Sequence, residues 1–240
     1  MDVSRAVVNP VFRSAPWDQE NREKDGMVRI LFVSESNVCR SVLAEAIFTQ
    51  LVEEMGMGNL LTCDSKGSRD YNLGEGPEAS VLQAAEDLGI VLPEGFQARM
   101  VDHARDIVIY DLLLAMDKFT SADVLREVSV YDTIAREGGY SMKVRRLGEF
   151  HPVLAKSLDS EGQDIDDPLY GNVGGSEEVE AVKKAARIIE AACLGLMQFF
   201  QDLQEQAGDD PAKFKSLVLE SVRGMKEMDW LVPPMLQKKK

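Results

Sequence analysis

The chain has few cysteines and few histidines. Its 240 residues include three cysteines and two histidines. The cysteines, Cys39, Cys63 and Cys193, are far apart and form no CxxC pair, which argues against a disulfide framework and against a zinc site. The sequence therefore predicts a reducing compartment, with no metal ion and no other cofactor.

Long apolar runs and a surplus of positive charge are also missing. No apolar stretch approaches the roughly 20 residues that cross a bilayer, and the acidic N-terminus lacks the apolar centre of a secretory signal. The 41 acidic residues outnumber the 27 basic ones and give a formal charge of −14, a field that repels nucleic acids and anionic membranes. We expect a soluble protein in the cytoplasm, or in an organelle stroma or matrix if a transit peptide has been removed.

Short apolar runs alternate with helical patterns along most of the sequence. Hydrophobic residues make up 45% of the chain and charged residues 28%, as in folded globular proteins. Alternation of this kind predicts an α/β fold, a doubly wound four-stranded parallel sheet with helices on both faces. The predicted strands are 28–33, 60–65, 111–116 and a weaker one near 143–147; the predicted helices are 41–55, 78–89 and 176–200.

We divide the chain into three parts. Residues 1–26 are predicted to be an extended or partly ordered lead-in, residues 27–200 a folded domain and residues 201–240 a helical extension. Within the extension, apolar residues at helical spacing predict an amphipathic helix from Pro211 to about Trp230. That helix either packs on the main domain or docks a protein partner, with the N-terminal segment as a second candidate contact.

The first predicted strand is followed by the loop SESNVCRS, residues 34–41. A loop between a buried strand and a helix N-terminus presents several N–H groups in one direction, and the helix dipole adds partial positive charge there. The planar fork of Arg40 could hold two phosphate oxygens, and Ser41 could cap the helix or donate a hydroxyl hydrogen bond. The loop is therefore predicted to bind an oxyanion.

This loop resembles the active-site loop of the low-molecular-weight protein tyrosine phosphatases, whose pattern is Cys, five residues, Arg and Ser. The segments CDSKGSRDYNLG (63–74), DLLLAMD (111–117), KVRRLGEF (143–150) and DDPLYG (166–171) resemble further parts of that family, so that the likeness covers about residues 27–200. It implies Ser34 at the nucleophile position, Arg40 as phosphate clamp and Asp167 as general acid. It further implies a phosphate loop of Glu35, Ser36, Asn37, Val38, Cys39 and Ser41, flanked at the substrate by Tyr71 and Tyr170.

Serine at the nucleophile position is the main departure from that family. The resemblance implies a cysteine thiolate that attacks phosphorus, and a loop of this kind lowers a thiol pKa from about 8.5 toward neutrality. A serine hydroxyl needs an adjacent base, and neither His103 nor His151 lies in the loop or in the late acidic motif. We interpret both histidines as surface or structural residues, and we expect the chemical step to be impaired more than phosphate binding.

Four more substitutions cluster around the same site. Glu35 places a carboxylate beside the expected anion, Ser36 replaces a glycine that could need positive φ, and Val42 and Leu169 replace a proline and a tyrosine. Cys39 matches the second loop cysteine of the family, which can pair with the nucleophile, and is expected here to pack as a small apolar residue.

The leading hypothesis is a pseudophosphatase that acts as a binding or scaffold subunit and retains weak affinity for phosphate or phosphotyrosine. The alternative is a protein tyrosine phosphatase whose nucleophile is replaced by Ser34 in this chain. Arsenate reduction on the same fold would need a relay of cysteines that Cys39, Cys63 and Cys193 do not provide.

Overall fold

A computed structural model of the protein describes residues 26–135, 139–156, 163–171 and 174–225. Its centre is one four-stranded sheet in the order β2-β1-β3-β4, with every neighbouring pair parallel. The predicted α/β class and parallel sheet are confirmed. The strands are β1 (Val28–Ser34), β2 (Leu61–Gly67), β3 (Leu112–Ala115) and β4 (Val144–Arg146).

Six α-helices connect and cover these strands within the described residues. Two of them, α3 and α4, were not predicted, and α5 continues beyond the predicted end at Phe200. The helices are α1 (Arg40–Glu54), α2 (Ala79–Leu88), α3 (His103–Ile109), α4 (Lys118–Ala135), α5 (Gly175–Ala207) and α6 (Pro211–Gly224). Short 3-10 turns occupy Ser141–Lys143, Leu147–Phe150 and Leu154–Lys156. No described helix is both long enough and apolar enough to cross a membrane.

The central strand β1 is buried on both faces. Ile30 and Phe32 belong to the larger core, which lies under α1, α2, α5 and α6. Leu31 and Val33 belong to a smaller core under α3 and α4. Successive side chains of a strand point to opposite faces, which is why the continuous apolar run of β1 serves both layers.

Helix α6 packs on the main domain. Phe214, Val218 and Val222 are buried in the larger core, and the ring of Phe214 lies 6.3 Å from that of Phe200. The buried Lys215 donates from Nζ to the Met27 carbonyl at 3.0 Å. The sequence predicts that this helix either packs on the main domain or docks a protein partner, and the structure shows the packing. The lead-in 1–25, the tail 226–240 and part of the acidic segment before α5 lie outside the described residues.

The order of the strands places a crevice at the carboxyl ends of the two central strands, β1 and β3. β1 pairs with β2 on one side and with β3 on the other, so the chain direction of the crossovers reverses beside β1. Ligands of open α/β sheets bind at such a switch point, beyond the carboxyl ends of the strands. The segment 35–39, which leads from β1 to α1, lies at this position.

Candidate anion-binding site

Asn37 holds the loop in shape. It is the only non-glycine residue with positive φ among those described, at 62°, and it is fully buried. Its Nδ2 donates to Ser41 Oγ and to Ser65 Oγ, both at 2.9 Å, and its Oδ1 accepts from Arg99 N at 2.9 Å. Asparagine tolerates this left-handed conformation better than most residues, and three bonds fix it here.

Ser36 does not reshape the loop. The concern from the sequence was that this position could require positive φ, but Ser36 does not adopt it. Close approach is required instead at Gly67 in β2, where an added Cβ would lie 3.0 Å from the Glu35 carbonyl oxygen. The loop therefore needs Asn37 and Gly67, while a serine is accommodated at 36.

The loop presents unpaired N–H groups. Within the described part of the chain, no acceptor takes the backbone N–H of Ser36, Val38 or Cys39. These groups precede the first turn of α1, which contains no acidic residue to compete with an anion. Free amides at a helix N-terminus form an anion-binding nest.

Ser34 ends β1 beneath this nest. Its hydroxyl lies 2.7 Å from Ser41 Oγ and accepts from the Asn37 N–H at 3.3 Å. Ser41 does not cap α1, because it lies within the helix and no side-chain hydrogen bond caps the helix N-terminus. Within the described residues, Ser34 Oγ has no hydrogen bond to a histidine or a carboxylate.

Arg40 reaches across the crevice to two carboxylates. Its Nη1 donates to Asp117 Oδ2 at 2.5 Å and to the Ile165 carbonyl at 2.9 Å, and its Nη2 donates to Asp167 Oδ2 at 2.7 Å. The side chain is almost completely buried, yet its Nε–H has no partner among the described residues. A buried donor without an acceptor is costly, so this nitrogen marks a place for a ligand oxygen.

The late acidic segment is not simply a solvated loop. Asp167, predicted as the general acid, contacts Arg40 and keeps about a quarter of its side chain exposed. Asp164 instead accepts from Arg146 at 2.8 Å and from the Lys118 N–H at 3.0 Å, and burial raises its pKa. Of the three described aspartates of this segment, Asp166 is the exposed one. The sequence is equally compatible with a solvated acidic loop formed by Asp164, Asp166 and Asp167, and in the structure Asp167 contacts Arg40.

Exposed aromatic rings flank the crevice. Tyr71, predicted to flank the substrate, is 65% exposed, and Tyr170, predicted to do the same, is 90% exposed. Leu169 packs against the larger core instead. Phe119, which the sequence did not single out, is 73% exposed and follows Asp117 by two residues.

Glu35 is exposed, which limits its electrostatic effect. Its backbone carbonyl accepts from Arg69 N at 2.9 Å, and its side chain faces solvent. At an exposed position the interaction with a charge about 4 Å away is nearer ~1 kcal/mol than ~4 kcal/mol. The charge of the exposed Glu35 side chain is therefore largely screened by solvent.

His103, His151 and Cys39 lie in surroundings that indicate structural roles. His151 Nδ1 accepts two backbone N–H groups, of Val153 and Leu154, both at 3.1 Å. His103 begins α3 and is half-buried, and burial lowers its pKa. Cys39 is buried in the larger core, and burial, followed by the nearby Asp167 carboxylate, raises the pKa of its thiol.

A buried network behind the loop was not predicted. Ser65 in β2 donates to Glu45 Oε2 on α1 at 2.6 Å while it accepts from Asn37. Burial and the neighbouring Asp64 raise the pKa of Glu45 to about 7. Asp64 also accepts from Arg99, whose backbone holds Asn37, and from Tyr110 Oη at 2.8 Å. These residues are distant in sequence and come together only in the folded domain.

A doubly wound sheet with an amide nest, a buried arginine and a carboxylate beyond the carboxyl end of β1 is the architecture of a phosphatase-like anion-binding domain. The family model described as low molecular weight phosphotyrosine protein phosphatase matches residues 29–208. The chain belongs to this family.

Individual relatives agree with this assignment. A low molecular weight protein-tyrosine-phosphatase of Streptomyces coelicolor is 33% identical over 171 residues, which are 70% of this chain and 91% of the relative. A putative low molecular weight protein-tyrosine-phosphatase of Synechocystis is 29% identical and covers 71% of this chain and 94% of its own length. The crystal structure of YfkJ from Bacillus subtilis matches with a TM-score of 0.58 at 26% identity, over 73% of this chain and 96% of that one.

Proposed function

We propose that this protein is a pseudophosphatase of its family, which binds a phosphomonoester in the loop 34–41 without hydrolysing it efficiently and acts as a binding or scaffold subunit. The observation that supports this proposal most directly is the environment of Ser34. Its hydroxyl is buried and paired with Ser41 Oγ at 2.7 Å, and no histidine or carboxylate among the described residues accepts its proton. A hydroxyl in that setting is a weak nucleophile.

Retained anion binding is supported by the unpaired donors of the site. The buried Nε–H of Arg40 and the free N–H groups at Ser36, Val38 and Cys39 would each gain an acceptor from phosphate. Against this, Asp117 and Asp167 already neutralise Arg40. We therefore expect weak binding, seen as a rise in melting temperature at tens of millimolar phosphate or sulfate.

Turnover of an aryl phosphate tests the catalytic half of the proposal. The comparison uses the full chain, Ser34→Cys and Ser34→Ala. We expect the full chain and Ser34→Ala to be equally inactive, because Ser34 has no adjacent base. Intact mass after incubation adds a second readout, since a slow attack by Ser34 would accumulate a serine phosphoester. Efficient turnover by the unmodified chain that Ser34→Ala abolishes would refute the proposal.

The second candidate is a protein tyrosine phosphatase whose nucleophilic cysteine is replaced by Ser34 in this chain. The intact geometry of Asn37, Arg40 and Asp167 favours it. If Ser34→Cys alone gained turnover approaching that of the active relatives, the remaining site would be competent and this candidate would be preferred. If Ser34→Cys gained little, the changes at Glu35 and Leu169 would share in the loss.

A scaffold role also needs a partner-binding surface. The apolar face of α6 is occupied by the core, so we propose contacts through residues 226–240 or the lead-in 1–25. Pull-down with the full chain, with a chain ending at Met225 and with a chain beginning at Gly26 tests this directly. Cutting at Phe200 would be uninformative, because it would divide α5 and remove Phe214 from the core. Equal capture by all three chains would exclude both segments.

A further inference from the structure

Asn37 fixes the direction of the hydrogen bonds around Ser34. Its Oδ1 accepts from the Arg99 backbone N–H at 2.9 Å, and a backbone N–H can only donate, so the other end of the amide is Nδ2. The two hydrogens of Nδ2 go to Ser41 Oγ and Ser65 Oγ, each at 2.9 Å. The Ser41 hydroxyl therefore accepts from Asn37 and still has its own proton to donate.

The proton of Ser41 goes to Ser34. Ser41 is fully buried, and within the described part of the chain Ser34 Oγ, at 2.7 Å, is the one acceptor that its hydroxyl can reach. The opposite direction would leave the Ser41 O–H buried without an acceptor, which is costly. We therefore assign Ser41 as the donor of this bond and Ser34 as the acceptor.

Ser34 thus accepts two hydrogen bonds and keeps its own proton. One comes from the Ser41 hydroxyl and the other from the Asn37 backbone N–H at 3.3 Å. A hydroxyl oxygen has two lone pairs, so only the O–H of Ser34 can bind anything further. Ser34 Oγ lies against the Asn37 amide, whose neighbours in the loop are the unpaired amides of Ser36 and Val38. An anion held by those amides would be within reach of the Ser34 O–H.

We propose that Ser34 is a ligand-binding residue, whose O–H donates to an oxygen of the phosphate group held in the loop 34–41. The inference rests on the proposed function and gives the residue at the nucleophile position a binding role. A cysteine in the same place would be ionised near neutral pH by the loop amides and the helix N-terminus. Its thiolate could not donate and would repel the anion. Serine exchanges that negative charge for a neutral donor, which favours holding the phosphate.

The experiment measures the melting temperature as a function of sulfate and of inorganic phosphate, under reducing conditions near neutral pH. Both anions are tetrahedral and neither is a substrate, so the shift reports binding alone. The chains are the unmodified protein, Ser34→Ala, Ser34→Cys and the control Ser129→Ala, an exposed serine of α4. Melting without added anion separates a change in stability from a change in affinity.

We expect the unmodified chain and Ser129→Ala to bind both anions equally well. Ser34→Ala should bind them about tenfold more weakly or worse, the loss expected for one hydrogen bond to a charged group. Ser34→Cys keeps the size of the side chain and should also bind more weakly than the unmodified chain, because its thiolate repels the anion.

Two kinds of result would overturn the inference, and they can be told apart. If the unmodified chain and Ser34→Ala bind sulfate with equal affinity, or if Ser34→Cys binds it as tightly as the unmodified chain, Ser34 is not a donor to the anion and the proposed anion binding stands. If neither anion shifts the melting temperature of the unmodified chain, the role of Ser34 and the proposed anion binding are both wrong.

Discussion

Glu45 gives the network behind the anion loop a dependence on pH. Its carboxylate accepts from Ser65 Oγ at 2.6 Å, and Ser65 in turn accepts from Asn37. The substitution Glu45→Gln removes the charge while keeping the shape of the side chain and one oxygen that can accept from Ser65. It therefore isolates the effect of ionisation from the effect of packing.

The expected magnitude follows from the pKa. Burial and Asp64 raise the pKa of Glu45 from 4.5 to about 7. Below about pH 4.5 this residue is protonated in both the folded and the unfolded state. Between there and about pH 7 only the folded state keeps the proton, so the stability contributed by Glu45 falls as the pH rises. A shift of this size corresponds to about 3 kcal/mol lost above pH 7.

Urea denaturation at a series of pH values measures this effect. We expect Glu45→Gln to match the unmodified protein near about pH 4.5 and to be more stable by up to about 3 kcal/mol near about pH 8. Glu53→Gln, an exposed change on the same helix, is the control and should follow the unmodified protein throughout. Parallel stability curves for Glu45→Gln and the unmodified protein would refute the reasoning.

Three further predictions concern packing and loop shape. Phe214→Ala should lower the free energy of unfolding by about 3–5 kcal/mol in denaturant titrations, since this ring of α6 is buried, and a loss below about 1 kcal/mol would contradict its place in the core. Gly195→Ala should lower the free energy of unfolding, because the added Cβ would lie 1.9 Å from the Phe150 carbonyl oxygen. This clash should outweigh the preference of alanine over glycine in a helix, which is about 1 kcal/mol. Gly224→Ala is the control, because the space around Gly224 is open. Asn37→Ala should abolish the rise in melting temperature with phosphate, because it removes the bonds that fix a φ of 62°, and an unchanged rise would show that the loop keeps its shape without them.

The sequence predicts the centre of the sheet well because β1 and β3 are apolar on both faces. The predicted strand 28–33 agrees with β1 to within one residue, and the predicted strand 111–116 contains β3. A strand that is covered on both faces is a continuous apolar run, which is easy to recognise in a sequence. Helix α4 was missed for the opposite reason. It buries few apolar side chains, such as Val124, Leu125 and Val128, among polar and β-branched residues that weaken the helical pattern.

The site was predictable only as far as the motifs extend. Resemblance identified Arg40 and Asp167, and the structure brings them within 2.7 Å. Asp117 was not identified, although it follows a buried strand at the edge where ligands bind, and this position could have marked it. The contacts of Glu45 depend on the register of β1 with β2, which no local pattern specifies.

The position of α6 determines which end of the sheet lies next to the chain termini. Its first residue, Pro211, touches Gly26, and Lys215 contacts Met27 and Asp111, so α6 lies across the amino ends of β1 and β3. The loop begins at the other end of β1, seven residues away, or roughly 20 Å in a strand. An anchor joined on the Gly26 side would therefore lie at the opposite end of β1 from the loop 34–41 and would leave that loop accessible.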